Sequence, residues 1–226
     1  MCGRFTLSSA GEIVADLFHL GEVPDLTPRF NVAPTQRVAV VVAPEPDRRK
    51  LVGMRWGLVP SWAKDVKIGA RMINARSETV ASKPAFRSAF KRRRCLVVAD
   101  GFYEWKRVGK AKQPFHIGMS DGAPFGMAAI WEVWQPDEGE RVVSCSILTT
   151  TPNALVADVH DRMPVILPPE RHAVWLDTDL TDRDTLTALL GPFDADAMRA
   201  VPVDRRVGNV RNDDPGLIEP LSDTGT

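Results

Sequence analysis

The chain has 226 residues, of which 44% are hydrophobic and 26% charged, an ordinary composition for a globular protein with a sizeable core. Lysine plus arginine equals aspartate plus glutamate, at 29 each, so any affinity for nucleic acid must come from a local basic surface. The three cysteines, Cys2, Cys95 and Cys145, contain no C-x-x-C pair, which argues against a disulfide scaffold or a zinc knuckle.

No basic segment followed by an apolar stretch opens the chain, and no apolar run approaches the length that spans a bilayer. An odd number of widely separated cysteines suits a reducing compartment. We therefore expect a soluble cytoplasmic protein that makes no contact with a membrane.

The chain begins Met1-Cys2-Gly3-Arg4-Phe5. If Met1 is removed, as a small second residue usually permits, Cys2 carries an α-amine beside its thiol. The α-amine titrates at about pH 8 and the thiol at about pH 8.5, so both are partly available as nucleophiles at neutral pH. An aldehyde reacts with both, forming an imine and then a five-membered thiazolidine. Taken alone, a cysteine at the second position is more often incidental than catalytic.

The next segments predict a helix and a β-hairpin. Ser8 and Ser9 precede apolar residues at helical spacing, and Gly21 stops the pattern, which predicts a short amphipathic helix with a serine cap. Residues 38–43 and 51–56 predict the two strands of the hairpin.

Pro84 opens a second predicted helix that ends in the basic run of residues 91–94, which indicates either a solvated helix end or a phosphate-contacting patch. Residues 95–99 then predict a buried strand. In the strand after that, alternation places Tyr103 and Trp105 on one face and puts Glu104 on the other face, with Phe102.

The remaining pattern predicts mostly strands and ends in a polar tail. Further strands are predicted at 115–119, 125–131, 142–150 and 201–203, and a helix at 182–190. Thr151 and Pro152 predict the start of a short helix that delivers His160 at its end. Strands joined by short turns favour a single α+β domain that is mostly antiparallel, over residues 1–212, with a disordered tail at 213–226.

Six blocks, taken in order, resemble the SOS response-associated peptidase (SRAP) family, which includes the human 5-hydroxymethylcytosine-binding protein. The blocks are Met1-Cys2-Gly3-Arg4-Phe5, residues 29–36, residues 55–63, residues 73–79, residues 100–105, and His160-Asp161-Arg162-Met163-Pro164. The resemblance covers nearly the whole chain and implies a β-barrel-like α+β core with short flanking helices. It also implies covalent capture of abasic sites in single-stranded DNA.

The resemblance implies a role for each of four residues. Cys2 is the nucleophile, Asn74 orients the cysteine and the sugar, Glu104 acts as acid and base, and His160 assists proton transfer. A ring-opened abasic deoxyribose presents the aldehyde that an aminothiol captures. Imine formation needs a proton donor, for which a carboxyl with a raised pKa or a histidine is suitable.

The resemblance also implies a DNA-binding set, namely Arg4, Asn31, Trp62, Arg76 and Arg162. Guanidinium groups match phosphate bidentately, and an indole stacks on an exposed base. Two purely structural alternatives remain open: Arg76 forms an ion pair with Glu78 or Asp161, or Trp62 belongs to the hydrophobic core.

The leading hypothesis is an abasic-site processing enzyme that forms a slowly reversible thiazolidine crosslink through Cys2. The expected partner is abasic single-stranded DNA, with single-strand/double-strand junctions as candidate positions. We expect a bacterial, monomeric protein that associates with the nucleoid when it is bound to DNA, with neither cofactor nor metal. Two alternatives stay open: a thiol peptidase that uses Cys2, His160 and Asn74 and removes Met1 itself, and a noncovalent single-strand binder.

Overall fold

A computed structural model describes residues 2–45, 48–136 and 138–221. Its strands are β1 (Phe5–Leu7), β2 (Arg29–Val32), β3 (Arg37–Glu45), β4 (Arg48–Trp56), β5 (Asn74–Arg76), β6 (Arg94–Ala99), β7 (Gly101–Val108), β8 (Ala111–Met119), β9 (Phe125–Trp134), β10 (Val142–Thr150), β11 (Met163–Pro164), β12 (Ile166–Leu167) and β13 (Met198–Pro202). Its helices are α1 (Gly11–Phe18), α2 (Arg87–Arg92), α3 (Ala154–Ala157), α4 (His172–Leu176) and α5 (Arg183–Ala188). Within the described ranges, no helix is long and apolar enough to cross a membrane.

Five strands close into a barrel in the order β10, β4, β3, β6, β9, because β9 pairs with both β6 and β10. A closed ring with an odd number of strands cannot alternate direction throughout, so at least one pair must be parallel. That pair is the short contact between β10 and β4, at Ser144↔Arg55 and Cys145↔Trp56. β5 then continues the parallel pairing along β10, from Ile147↔Asn74 onward. The sequence predicted these strands but not the parallel seam, by which we mean the parallel pairing of β10 with β4 and β5.

A second sheet, in the order β13, β8, β7, β1, β2, carries the N-terminus. β1 lies between β7 and β2 and is antiparallel to both. Phe102 packs in the same core cluster as Cys2, whereas Tyr103 packs with Trp105 in a separate cluster that includes Val203. The predicted alternation along β7 is therefore confirmed, as is the single-domain α+β fold with a barrel-like core.

Three helix boundaries differ from the prediction. Ser8 and Ser9 do not cap α1, because their hydroxyls and backbone N–H groups donate to Asp100 Oδ2 instead. α1 ends at Phe18 and is followed by His19, whose φ of 51° lies in the left-handed region, so the helix stops before Gly21. α3 is likewise capped by the Asn153 side chain, which accepts from the Val156 N–H, and not by Thr151.

The predicted tail begins too early. The Asp213 carboxylate accepts hydrogen bonds from Arg29 Nε at 2.6 Å and from the Phe30 N–H at 2.5 Å. Leu217 is fully buried in the cluster with Tyr103, and the Leu221 N–H donates to Pro202 O at 2.9 Å. The packed domain therefore extends beyond residue 212 to at least Leu221, and the rest of the predicted tail, 222–226, lies outside the described residues.

The basic run at the end of α2 includes a structural arginine. Arg94 is 1% exposed and opens β6. Its guanidinium donates to the backbone carbonyls of Phe90, Lys91, Trp175, Asp177 and Leu180. Burial lowers the pKa of Arg94 to about 10, which still leaves it charged at neutral pH. Neither a solvated helix end nor a phosphate patch describes this residue, which instead joins α2 to the end of α4.

We expect Arg94→Met to lower the free energy of unfolding by about 3 kcal/mol, because it leaves several buried carbonyls without a donor. Urea denaturation followed by circular dichroism measures the effect. Arg92→Met is the matched control, since Arg92 is exposed, and should change stability by less than about 0.5 kcal/mol. Equal midpoints for the two variants would contradict a structural role for Arg94.

Candidate active site

Cys2 lies just before β1 with its side chain completely buried, in the same cluster as Phe5, Trp56 and Phe102. Burial raises the pKa of the Cys2 thiol well above its usual value, and the negative charge of Glu104 raises it further. A hydrogen bond from the Arg4 backbone N–H acts in the opposite direction but is the smaller effect. Burial therefore favours the protonated form of the thiol in the chain that begins with Met1, whereas the expectation of a partly ionised thiol concerns a Cys2 with a free α-amine and stays a prediction.

Glu104 comes from the middle of β7 and is 3% exposed. Burial raises the pKa of its carboxyl above the usual value, and the neighbouring His160 opposes that rise. Pairing of β1 with β7, at Phe5↔Phe102, carries the N-terminal residues alongside this carboxyl. A carboxyl with a raised pKa holds its proton to higher pH, which suits a general acid.

His160 follows α3, and its Nε2 lies 3.7 Å from Glu104 Oε2. Its other ring nitrogen, Nδ1, lies 3.0 Å from the Arg162 backbone nitrogen and 3.1 Å from Asp161 Oδ1. When Nδ1 accepts from the Arg162 N–H, the proton of the neutral ring resides on Nε2, which faces Glu104. When Nδ1 carries a proton, the Asp161 carboxylate accepts it. Both proton positions thus have a partner, as a proton relay requires.

Asn74 opens β5, directly after the parallel seam of the barrel. Its side-chain oxygen and nitrogen are both buried, and neither has a hydrogen-bond partner among the described residues. The preceding residue, Ile73, accepts a hydrogen bond from Trp56 Nε1 at 2.9 Å, and the Trp56 ring lies 5.1 Å from that of Phe5. Buried amides without partners are rare in folded proteins, so this one is poised to bind a polar group.

The structure brings Cys2, Glu104 and His160 together, and it places Asn74 beside the same core cluster. The segment before β1, the strands β5 and β7, and the segment after α3 supply one residue each, although they are far apart in the chain. Asp161 is a residue that the sequence reasoning considered only as an ion-pair partner. Its position next to His160 was the available signal.

Two members of the predicted DNA-binding set contact each other. Arg4 donates through Nη1 to Asn31 Oδ1 at 2.7 Å and to Val207 O at 2.7 Å. Asn31 is fully buried, and its amide donates to the carbonyls of Val207, Asn209 and Asn212. In this structure Asn31 therefore supports Arg4 from inside the protein rather than facing solvent.

Arg162 is engaged by a carboxylate. Its two terminal nitrogens bond to Glu78 Oε1 and Oε2 at 2.5 and 3.0 Å, and Nη2 also donates to Thr149 O at 2.6 Å. The pKa of Glu78 is lowered, chiefly by the hydrogen bond from Arg162. The ion pair with Glu78 that was considered for Arg76 thus belongs to Arg162. Arg76 is exposed, and no carboxylate of the described residues lies within ion-pair distance of it.

Trp62 is 61% exposed, so the alternative that places it in the core is wrong. It borders an open cleft of about 740 Å³ that is also lined by Lys64 and Trp134. Trp134 is fixed there by a hydrogen bond from its Nε1 to Ala63 O at 2.7 Å. An exposed indole in an open cleft is available for stacking on a base.

The chain is similar to three named relatives over 76% to 98% of its length. YoqW of Bacillus subtilis (strain 168), an abasic site processing protein, is 44% identical over 223 residues, which cover 97% of this chain and 99% of YoqW. The abasic site processing protein YedK of Escherichia coli (strain K12) is 32% identical over 228 residues, covering 98% and 100%. The abasic site processing protein HMCES of Rattus norvegicus is 34% identical over 203 residues, covering 76% of this chain and 57% of HMCES.

The fold is also shared with solved structures. A crystal structure of a protein from Bacteroides thetaiotaomicron superimposes with a TM-score of 0.87 at 28% identity, covering 97% of this chain and 99% of the other. The family model described as SOS response associated peptidase (SRAP) matches residues 1–210. This chain therefore belongs to the SRAP family.

Proposed function

We propose that this protein processes abasic sites in DNA by forming a covalent crosslink through Cys2. The observation that carries the proposal is the buried Cys2 thiol beside the Glu104 carboxyl, which faces His160 at 3.7 Å. The names of YoqW, YedK and HMCES as abasic site processing proteins support the same substrate.

The proposed reaction begins after Met1 is removed. The α-amine of Cys2 adds to the aldehyde carbon of the ring-opened sugar and gives a carbinolamine. Glu104 donates its proton to the departing hydroxyl, which leaves as water, and an iminium forms. Because burial raises the pKa of Glu104, the carboxyl keeps its proton to a higher pH than an exposed glutamate does, which favours its action as the acid in this step.

The thiol then closes the ring. The Cys2 thiol transfers its proton to the Glu104 carboxylate formed in the first step, the sulfur bonds to the iminium carbon, and the C–N π electrons return to nitrogen. The product is a neutral thiazolidine, and Glu104 is protonated again. The raised pKa values of Cys2 and Glu104 are consistent with this order of steps, in which the amine reacts first and the thiol second.

His160 exchanges protons between Glu104 and solvent in this scheme. Its side chain is 26% exposed, whereas that of Glu104 is 3% exposed, so the histidine bridges the two environments. Asn74, with both polar side-chain atoms buried and unbonded among the described residues, binds the hydroxyl groups of the open sugar. Neither role requires a metal or a cofactor.

DNA contact is assigned first to Arg76 and Trp62, which are exposed. Arg76 follows Asn74 on β5 and would bind a phosphate next to the lesion. Arg162 contacts phosphate only if phosphate replaces Glu78, because that carboxylate occupies both terminal nitrogens. In the free protein Arg162 holds the loop after α3 in place instead, and its N–H orients His160.

Cys2→Ala should abolish crosslinking to an abasic single-stranded oligonucleotide, a loss of at least about 100-fold, because no nucleophilic pair remains. Denaturing gel electrophoresis and intact mass spectrometry of the Met1-free protein measure it. Cys95→Ala is the matched control, since it removes another fully buried cysteine, and it should crosslink normally. A Met1-free unmutated protein that binds abasic DNA without any covalent adduct would support the noncovalent binder and refute the crosslink.

Acetylation of the Cys2 α-amine in the Met1-free protein distinguishes crosslinking from peptide hydrolysis. Thiazolidine formation needs both nitrogen and sulfur, so the acetylated protein should give no heat-stable adduct. A thiol peptidase needs only sulfur, and its activity on peptides would persist. Adduct formation at an undiminished rate by the acetylated protein would contradict the amine-first mechanism.

Glu104→Gln should slow release of a preformed crosslink by about 100-fold, because ring opening needs a proton donor for the departing sulfur. In the unmutated protein, release should fall as pH rises through the raised pKa of Glu104, since the acid form exists below that pKa. The Gln variant should lack this pH dependence. Glu132→Gln on β9 is the control, and release measured by transfer to competitor abasic DNA should be unchanged there. Unaltered release from Glu104→Gln would remove Glu104 from the mechanism.

A further inference from the structure

The hairpin of β7 and β8 ends in a concentrated positive charge. Residues 106–112 contain Lys106, Arg107, Lys110 and Lys112 and no acidic residue, although the whole chain has equal numbers of acidic and basic residues. All four side chains are exposed. We call residues 106–112 the basic hairpin.

These four cations have no neutralising partner within the described parts of the chain. Arg93 and Arg162 are paired with Glu132 and Glu78, at 2.6 and 2.5 Å. No carboxylate of the described residues lies within ion-pair distance of any cation of the basic hairpin. The basic hairpin therefore presents an uncompensated positive potential to solvent.

The strand register places like charges opposite each other, which destabilises the hairpin when no anion is bound. Arg107 and Lys112 lie directly opposite each other in the β7–β8 ladder. Like charges at directly opposed positions destabilise an antiparallel pair. An external polyanion would relieve this repulsion, whereas solvent and salt relieve it only in part.

The basic hairpin is a direct extension of the strand that carries Glu104. Lys106 is two residues beyond Glu104 on β7 and lies on the same face. At about 3.3 Å per residue, the strand reaches about 13 Å past Glu104 to Val108. Gly109, with a φ of 61°, and Lys110 connect the strands as a tight two-residue turn, which keeps the arm short and defined.

We propose that the basic hairpin binds the phosphodiester backbone of the DNA that flanks the abasic site, on the side toward which β7 points. This inference rests on the proposed function for the position of the lesion. The distance of about 13 Å along β7 from Glu104 to Val108 corresponds to about four nucleotides at about 3.4 Å per nucleotide. Lysine and arginine contacts to phosphate are independent of sequence, so the hairpin strengthens binding without selecting bases.

The test is the salt dependence of binding to an intact single-stranded oligonucleotide with no abasic site. The variant K106Q/R107Q/K110Q/K112Q should bind at least about tenfold more weakly at low salt. Its slope of log affinity against log salt should be shallower by about 2 to 3, since each lost phosphate contact removes about 0.7. K83Q/R87Q/R171Q/R183Q is the matched control, because it removes four exposed cations elsewhere and should keep the slope of the unmutated protein.

A single charge reversal, Lys110→Glu at the turn, provides a second variant that spares both strands, and it should also flatten the slope. Equal slopes for the hairpin variants and the control would overturn the proposal. Crosslinking by the unmutated Met1-free protein is scored separately on abasic DNA. A difference in slope without any crosslink would support DNA binding by the basic hairpin and refute the proposed crosslinking chemistry. A crosslink without a difference in slope would support the crosslinking chemistry and refute DNA binding by the basic hairpin.

Discussion

The pairing of β1 with β7 is the interaction on which the site depends. It holds the N-terminal segment between two strands, with Tyr103 N donating to Arg4 O at 2.9 Å. Chain termini are usually exposed and poorly ordered, whereas here Cys2 is completely buried. Burial raises the pKa of the Cys2 thiol and of the Glu104 carboxyl, and the negative charge of Glu104 raises the pKa of the thiol further. One backbone ladder thus sets the position of the proposed nucleophile and the burial that raises its pKa.

Barrel closure supplies the other half of the site. Because five strands cannot alternate in direction all the way around a ring, at least one pair must be parallel; here it is β10 with β4, and β5 continues the parallel pairing along β10. Asn74 enters the structure at this point. The Arg162–Glu78 ion pair and the Arg162 bond to Thr149 O fasten the segment after α3 to the same region, and His160 is positioned by that attachment.

The positive charges divide into internal and external groups. Arg94 donates its hydrogen bonds to backbone carbonyls, Arg4 donates to Asn31 and Val207, and Arg162 forms an ion pair with Glu78. Arg76 and the basic hairpin remain available to a polyanion, on strands that also carry Asn74 and Glu104. In a chain with no net charge, exposed cations without a carboxylate partner thus lie on the two strands that carry Asn74 and Glu104, which a count of charges along the sequence does not show.

The sequence by itself determined most strands, the α+β class, the alternation along β7 and the residue types of the site, because these follow from local periodicity and from matched motifs. It did not determine that the run at residues 91–94 contains a buried Arg94, that Ser8 and Ser9 bind Asp100, or that the packed domain reaches Leu221. Only the tertiary structure decided the burial of Cys2 and the partner of Arg162. Burial and ion pairing depend on residues far apart in the chain, so local pattern carries no record of them.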